Sequence, residues 1–82
     1  MIYVVYGISD CPACLRVCAD LMDGGYEYIF INCDFSKSYR HSIRDELNWP
    51  TFPIVLVKKA QETTVIGGSE QLKSYLQSIS AV

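Results

Sequence analysis

Apolar residues occur in short runs along the chain, and their spacing predicts four strands. Residues 2–6 are apolar on both faces, as in an interior strand. Further β-rich runs cover residues 26–33, 54–57 and 63–66. Gly, Pro or polar residues separate the runs, and each run has the length of a strand rather than of a membrane span.

Three segments between and after these strands have the periodicity of amphipathic helices. Gly24 and Gly25 end the first helix, Ser36 or Ser38 caps the second, and Ser69 caps the third. The expected apolar sides are Leu15, Cys18, Ala19 and Met22 in the first helix, Ile43 and Leu47 in the second, and Leu72, Leu76 and Ile79 in the third.

The resulting order of elements is β-α-β-α-β-β-α. A strand–helix–strand unit crosses over right-handed and gives a parallel pair. The short polar turn over residues 58–62 makes the last two strands antiparallel. We therefore predict one α/β domain over residues 1–82, with a four-stranded mixed sheet flanked by three helices.

Two cysteines three residues apart lie where the first strand gives way to the first helix. Cys11 is expected at the N-cap and Pro12 at N1, where its missing N–H costs nothing. A C-x-x-C pair at this junction is typical of a thioredoxin-like redox site. The unpaired N–H groups and the positive dipole end of a helix N-terminus stabilise a thiolate. Cys11 is therefore the predicted nucleophile, and Cys14, one turn deeper, the resolving thiol.

Two later motifs are candidates for a substrate site. Thr51-Phe52-Pro53 precedes the third strand, and Gly67-Gly68-Ser69-Glu70 precedes the last helix. Glycines permit close backbone approach, and a helix N-terminus attracts a carboxylate. Taken alone, the first motif also fits a proline at a strand entry, and the second fits a glycine stop followed by a serine cap.

The three motifs, in this order and at these spacings, resemble those of the glutaredoxins, the glutathione-linked members of the thioredoxin superfamily. The resemblance covers almost the whole chain and implies a thioredoxin-like fold. It implies glutathione-dependent reduction of protein disulfides and of glutathione mixed disulfides. The implied partners are glutathione and disulfide-containing proteins such as ribonucleotide reductase.

The resemblance also assigns site residues. Cys11 and Cys14 would carry the reaction, with a cis bond before Pro53 that presents the backbone of Phe52 to a peptide. Ser69 would take the α-carboxylate of glutathione and Glu70 its ammonium group. The full implied glutathione site is Pro12, Ala13, Thr51, Phe52, Pro53, Gly68, Ser69 and Glu70, with no metal expected.

Several positions depart from the family pattern. Ile8 stands where the family often has a cation, acidic Asp10 precedes Cys11, Ala13 replaces the usual Tyr, and Trp49-Pro50 replaces polar residues. Glutathione is anionic, so fewer cations should weaken its binding by about 1 kcal/mol per exposed contact. Arg40 or Arg44 on the second helix would compensate if they faced the site, although a solvated helix face is the simpler interpretation. Trp49 either lines the substrate groove or covers the core.

Two alternatives follow from the departures and from the remaining cysteines. One is a redoxin of the same fold that thioredoxin reductase reduces, which Ile8 and Ala13 favour. The other is a carrier of an iron–sulfur cluster or of another metal such as zinc, although Pro12 stiffens the site and the cysteine spacing is not that of paired knuckles. Cys18 is either a small buried apolar residue or a third redox thiol, and Cys33, at the end of the second strand, is expected either to pack or to lie at an edge.

Charge and composition exclude other classes of protein. The net charge of −2 offers no basic surface for nucleic acid. No apolar run is long enough for a membrane span, and residue 1 leads straight into a strand without a secretory signal. The four cysteines do not resemble a disulfide-stapled secreted scaffold. We therefore expect a cytoplasmic monomer.

Overall fold

The computed structural model describes residues 1–80, and over that range it confirms the predicted order of four strands and three helices. The elements are β1 (Ile2–Gly7), α1 (Pro12–Asp23), β2 (Tyr28–Asn32), α2 (Lys37–Leu47), β3 (Ile54–Lys59), β4 (Glu62–Gly67) and α3 (Ser69–Ser80).

The strands form one mixed sheet in the order β2-β1-β3-β4. β1 and β2 are parallel, as the intervening helix requires, whereas β3 is antiparallel to both β1 and β4. Only Ala60 and Gln61 separate β3 from β4, and Ala60 has a positive φ of 47°. This is the predicted thioredoxin-like α/β architecture.

The main core lies between the sheet and the pair α1 and α3. Alternate residues of β1 and β3 point to this face, and Tyr3 pairs with Val57 as Val5 pairs with Val55. These side chains bury against α1 and α3 in one cluster, whose members are Tyr3, Val5, Val17, Leu21, Val55, Val57 and Leu72.

The opposite face of the sheet carries the intervening residues of β1 and β3 and is next to α2. Val4 pairs with Leu56, and both are buried, as is Ile43 of α2. Burial, and then the nearby Tyr39 and Glu46, raise the pKa of Tyr6 on this face. Because both of those residues belong to α2, helices lie on both faces of the sheet, as predicted.

The predicted apolar side of α1 is wrong for three of its four residues. Leu15 and Met22 are 73% and 65% exposed, and Ala19 is exposed too. The helix carries two apolar rows, and the one that faces the sheet comprises Cys14, Val17 and Leu21. The predicted row is rotated from it by one residue, about 100°. Only Cys18 of that row packs on the core.

The helices begin and end at the predicted capping residues at most positions. Gly24 is the C-cap of α1, and Gly25 after it has a φ of +72°. Ser36, rather than Ser38, is the N-cap of α2, and its Oγ accepts a 3.2 Å hydrogen bond from the N–H of Tyr39. The second strand is shorter than residues 26–33. None of the helices in the described range could span a bilayer.

Tyr3 provides a test of the core. Its side chain is fully buried, and its hydroxyl has no hydrogen-bond partner within residues 1–80. An unpaired buried polar group costs about 1–3 kcal/mol. We therefore expect Tyr3→Phe to leave the free energy of unfolding in urea at pH 7 unchanged or to increase it. A loss above about 1 kcal/mol would show that the hydroxyl is bonded.

The same residue predicts behaviour in alkali. Burial, with smaller contributions from Tyr75 and Tyr26, raises the pKa of Tyr3 from 10.0 to about 12. The folded state therefore holds this proton more tightly than the unfolded state, and that stabilisation is complete below pH 10 and is lost as the pH rises toward 12. Urea unfolding between these pH values should show a shallower decline in Tyr3→Phe than in the wild type. Equal slopes would refute the assignment.

Candidate active site

The two cysteines of the first motif are joined as a disulfide in the first turn of α1. Cys11 is the N-cap, with extended backbone, and Pro12 follows at the start of the helix, as the sequence predicts. The Cα atoms of Cys11 and Cys14 are 5.2 Å apart. Cys14 is only 1% exposed, whereas Cys11 is half-buried. An external reagent therefore reaches Cys11 more readily than Cys14.

The sulfur of Cys11 accepts a backbone hydrogen bond from the helix that it caps. The N–H of Cys14 lies 3.2 Å from Cys11 Sγ and 3.0 Å from the carbonyl oxygen of Cys11. A hydrogen bond to the charged form of a group, together with a helix N-terminus, favours that form. Once the disulfide is reduced, this geometry stabilises a Cys11 thiolate.

The strand register brings the three motifs to one edge of the sheet. Tyr6 pairs with Ile54, so Gly7 at the end of β1 lies beside Pro53, and Val55 pairs with Gly67 at the end of β4. The Phe52–Pro53 peptide bond is cis, as expected. Three loops are therefore neighbours: the cysteine loop (residues 8–11), the cis-proline loop (residues 48–53) and the glycine loop (Gly67 and Gly68).

Gly7 is where the backbone of β1 passes beneath the cysteines. A Cβ atom at this position would lie 3.1 Å from Cys14 Sγ and 2.6 Å from Cε1 of Phe30. The absence of a side chain at Gly7 thus allows Cys14 to pack against the strand. The ring of Phe30 on β2 also lies against Gly7, beside Cys14.

Trp49 lies over the glycine loop. A Cβ atom on Gly67 would be 2.7 Å from Cη2 of Trp49, and one on Gly68 would be 3.8 Å from its Nε1. Gly67 also has a φ of +124°, which side chains rarely adopt. Of the two roles considered for Trp49, the structure therefore favours the one at the groove, where its ring forms a wall of the glycine loop.

The predicted cap of α3 is wrong. Ser69 is the first residue of the helix, and Gly68 occupies the cap, since its carbonyl accepts from the N–H of Leu72 at 3.0 Å. The Gln71 side chain accepts a hydrogen bond from the N–H of Gly68 at 3.1 Å. This is the reciprocal half of a capping box, and Gln71 at the third helical position was the signal for it. Sequence reasoning missed this residue.

The remaining predicted glutathione residues lie around these loops, and all but one of them are at least partly accessible. Pro12 and Thr51 are exposed, and Ala13 and Phe52 are half-buried. Pro53, in contrast, is buried. On the glycine loop and the first turn of α3, Gly68 and Ser69 are half-buried and Glu70 is exposed.

The two arginines of α2 have different positions. Arg44 lies against the cis-proline loop, with its Cζ atom 5.8 Å from the centre of the Phe52 ring. A cavity of about 470 Å³ begins beside it. Its lining residues are Arg44, Asp45, Asn48, Trp49 and Pro50. Arg40 instead pairs with Asp34 at 3.4 Å. Arg44 is therefore a cation at the candidate site.

The other two cysteines have the environment of packing residues. Cys18 is half-buried against the core, and burial raises its pKa more than a hydrogen bond from Tyr28 lowers it. Cys33 is fully buried, and burial is the largest of the effects that raise its pKa. Neither favours a thiolate. Within residues 1–80, no three His, Cys, Asp or Glu side chains come together as a metal site.

Comparison with known families decides the class of protein. The family model described as Glutaredoxin matches residues 3–60, which include the Cys11–Cys14 pair and the cis-proline loop. The chain belongs to the glutaredoxin family. This membership implies thiol–disulfide oxidoreductase chemistry. The glycine loop lies outside the matched segment, so its role depends on the geometry above.

Solved structures confirm the fold of this glutaredoxin. Glutaredoxin 1 from Francisella tularensis, complexed with cacodylate, is 19% identical over 99% of this chain and 98% of its own, with a TM-score of 0.78. Reduced Escherichia coli glutaredoxin is 19% identical over 100% of both chains, with a TM-score of 0.73. NrdH-redoxin from Escherichia coli is 18% identical over 87% of both chains, with a TM-score of 0.64. A search of curated proteins found no match.

Two glycines with positive φ allow a matched test of the glycine loop. Gly67→Ala introduces a Cβ atom that meets Trp49, whereas Gly25→Ala places one in open space. Both substitutions place a side chain at a positive φ: for Gly25, in the left-handed helical region, the backbone cost is about 1–2 kcal/mol, and for Gly67, with a φ of +124°, it is larger. In urea unfolding, Gly67→Ala should cost more than Gly25→Ala, and it alone should change Trp49 fluorescence in the folded state. Unchanged Trp49 fluorescence in Gly67→Ala would show that Trp49 does not pack on the loop.

Proposed function

We propose that this glutaredoxin is a glutathione-dependent thiol–disulfide oxidoreductase, with Cys11 as nucleophile and Cys14 as resolving thiol. The observation that carries the proposal is the asymmetry of the pair. Cys11 is accessible and accepts a hydrogen bond from the Cys14 N–H, whereas Cys14 is buried. Its substrates are protein disulfides, for example that of ribonucleotide reductase, and glutathione mixed disulfides. It works as a cytoplasmic monomer.

Reduction of a protein disulfide proceeds in two exchanges. The Cys11 thiolate attacks one substrate sulfur, the substrate S–S bond breaks, and the other substrate sulfur leaves as a thiolate. Cys14 then loses its proton and attacks Cys11 Sγ. The mixed disulfide breaks, the second substrate thiol is released with that proton, and the Cys11–Cys14 disulfide forms. The substrate gains two electrons, which the cysteine pair loses.

Two molecules of glutathione restore the dithiol. The first attacks Cys11 Sγ, because Cys14 is shielded, and gives glutathionylated Cys11 and a Cys14 thiol. The second attacks the glutathione sulfur of this intermediate, which releases oxidised glutathione and the Cys11 thiolate. The hydrogen bond from the Cys14 N–H favours Cys11 as the leaving thiolate in this last exchange.

The three neighbouring loops supply the proposed glutathione site. The backbone of Phe52 pairs with the cysteinyl part of glutathione, and the first turn of α3 at Ser69 takes the γ-glutamyl carboxylate. Glu70 takes the ammonium group. Arg44, close to Phe52, supplies the cation that Ile8 does not, and it pairs with a glutathione carboxylate.

The direct test is reduction of hydroxyethyl disulfide coupled to glutathione, glutathione reductase and NADPH. The wild type should turn over, and Cys11→Ser should fall to background. Cys14→Ser should keep turnover of the glutathione mixed disulfide but lose reduction of a protein disulfide, because only the latter needs a resolving thiol. No turnover by the folded wild type would refute glutathione dependence.

The role of Arg44 has its own test. Arg44→Gln should raise the KM for glutathione about fivefold, equivalent to about 1 kcal/mol, because it removes one partly exposed ion pair with the substrate. Lys73→Gln is the matched control, since it removes an exposed cation from α3. The two variants should differ in KM at low ionic strength and converge in high salt. If Lys73→Gln has the same effect, net charge rather than Arg44 is responsible.

A second candidate is reduction by thioredoxin reductase instead of glutathione. Ile8 is half-buried and apolar, and Ala13 offers no aromatic wall. The similar fold of NrdH-redoxin, a glutaredoxin-like protein with a thioredoxin-like activity profile, also favours it. Oxidised protein is incubated with NADPH and either thioredoxin reductase alone or glutathione with glutathione reductase. Faster formation of the dithiol identifies the reductant.

A further inference from the structure

Asp34 connects the loop before Cys11 to the start of α2. The parallel ladder between β1 and β2 ends with the N–H of Cys33 donating to the carbonyl of Gly7 at 2.7 Å. Beyond it, the N–H of Ser9 donates to Asp34 Oδ2 at 2.9 Å. A carboxylate thus takes the place of the next backbone acceptor. This bond joins positions 25 residues apart.

Asp34 is itself held from two further directions. Its own N–H donates to Oδ1 of Asn32 at 2.8 Å, and Arg40 of α2 donates to Asp34 Oδ1 at 3.4 Å. Hydrogen bonds from the Ser9 side chain and then from the Ser9 N–H lower the pKa of Asp34, and Arg40 adds to this. The group is therefore an anion at neutral pH, and each carboxylate oxygen has a partner.

The loop that Asp34 holds is short and has an unusual backbone. Only Ile8, Ser9 and Asp10 separate β1 from Cys11, and Asp10 has a φ of +52°, which few non-glycine residues adopt. The Cys11 cap needs an extended backbone so that its sulfur faces the Cys14 N–H. Only Asp10 separates Ser9 from Cys11, so a displacement of the Ser9 backbone would also displace the backbone of Cys11.

We infer that Asp34 is a positioning residue for the redox reaction: its carboxylate holds the Ser9 backbone so that Cys11 keeps the cap geometry that stabilises its thiolate. The inference rests on the proposed role of Cys11 as nucleophile. It does not depend on which reductant serves the protein.

The loss of the Ser9 bond and the loss of the Asp34 charge should shift the Cys11 pKa in opposite directions, so the direction of the shift distinguishes them. An anion near Cys11 disfavours a second anion, so loss of the Asp34 charge alone would lower the Cys11 pKa. Loss of the Ser9 bond loosens the cap and raises that pKa. Asp34→Ala removes both the charge and the acceptor, whereas Asp34→Asn removes the charge and keeps an acceptor for the Ser9 N–H.

The measurement is the rate of iodoacetamide alkylation of Cys11 in the reduced protein as a function of pH, followed by peptide mass spectrometry. Asp34→Ala should raise the Cys11 pKa by about 0.5–1 unit. Asp34→Asn should leave it unchanged or slightly lower. Arg40→Gln should change it less than Asp34→Ala, because the Ser9 bond remains. Asp23→Ala, an exposed carboxylate at the far end of α1, is the control and should have no effect.

An equal decrease of the Cys11 pKa in Asp34→Ala and Asp34→Asn would overturn the inference and leave only a charge effect. No change in Asp34→Ala would overturn it as well. If Asp34→Ala does not fold, the wild type still gives an answer. The amide proton of Ser9 should then shift in NMR spectra with the titration of Asp34 in acid, and a Ser9 amide that does not respond would refute the bond. None of these readouts uses glutathione, so they are independent of the turnover assay.

Discussion

The hydrogen bond from the Cys14 N–H to Cys11 Sγ is the interaction on which the site depends. It exists because Cys11 caps α1 with its side chain, and Pro12 begins the helix without the donor that this position does not need. The same turn buries Cys14 and leaves Cys11 accessible. One local structure therefore sets which of the two sulfurs is accessible and which one accepts the backbone hydrogen bond.

The sheet determines what surrounds this cap. Because β1 runs antiparallel to β3, the end of β1 meets the start of β3, and the cis-proline loop lies beside Gly7. β4 then returns toward the same edge and ends at Gly67. Residues that are about 40 and 55 positions from the cysteines in sequence thus become neighbours through register alone. The loops supply the chemistry, and the pairing of the strands brings them together.

The sequence was sufficient for the elements with a strong local signal. Cys11 and Pro12 at a helix start, paired glycines at a helix end, and short β-rich runs each have one local explanation. The prediction of the buried face of α1 was wrong because the helix has two apolar rows one residue apart. Only packing against β1 selects the row with Val17 and Leu21. The predicted cap of α3 was wrong because Ser69 and Gly68 both suit that position, and the hydrogen bond that the Gly68 N–H donates to the Gln71 side chain decides between them.

Long-range contacts could not be inferred from the sequence, and they bring a cation to a site whose loops carry few. Ile8 occupies the position before the first cysteine where the family often has a cation, and this departure alone argues for weak glutathione binding. The fold instead places Arg44 against Phe52, whereas Arg40 turns to Asp34. Two arginines on one helix thus face different parts of the chain, Arg44 the cis-proline loop and Arg40 the carboxylate that accepts from Ser9. Their division depends on which loop each turn of α2 faces, and no periodicity of α2 reveals that.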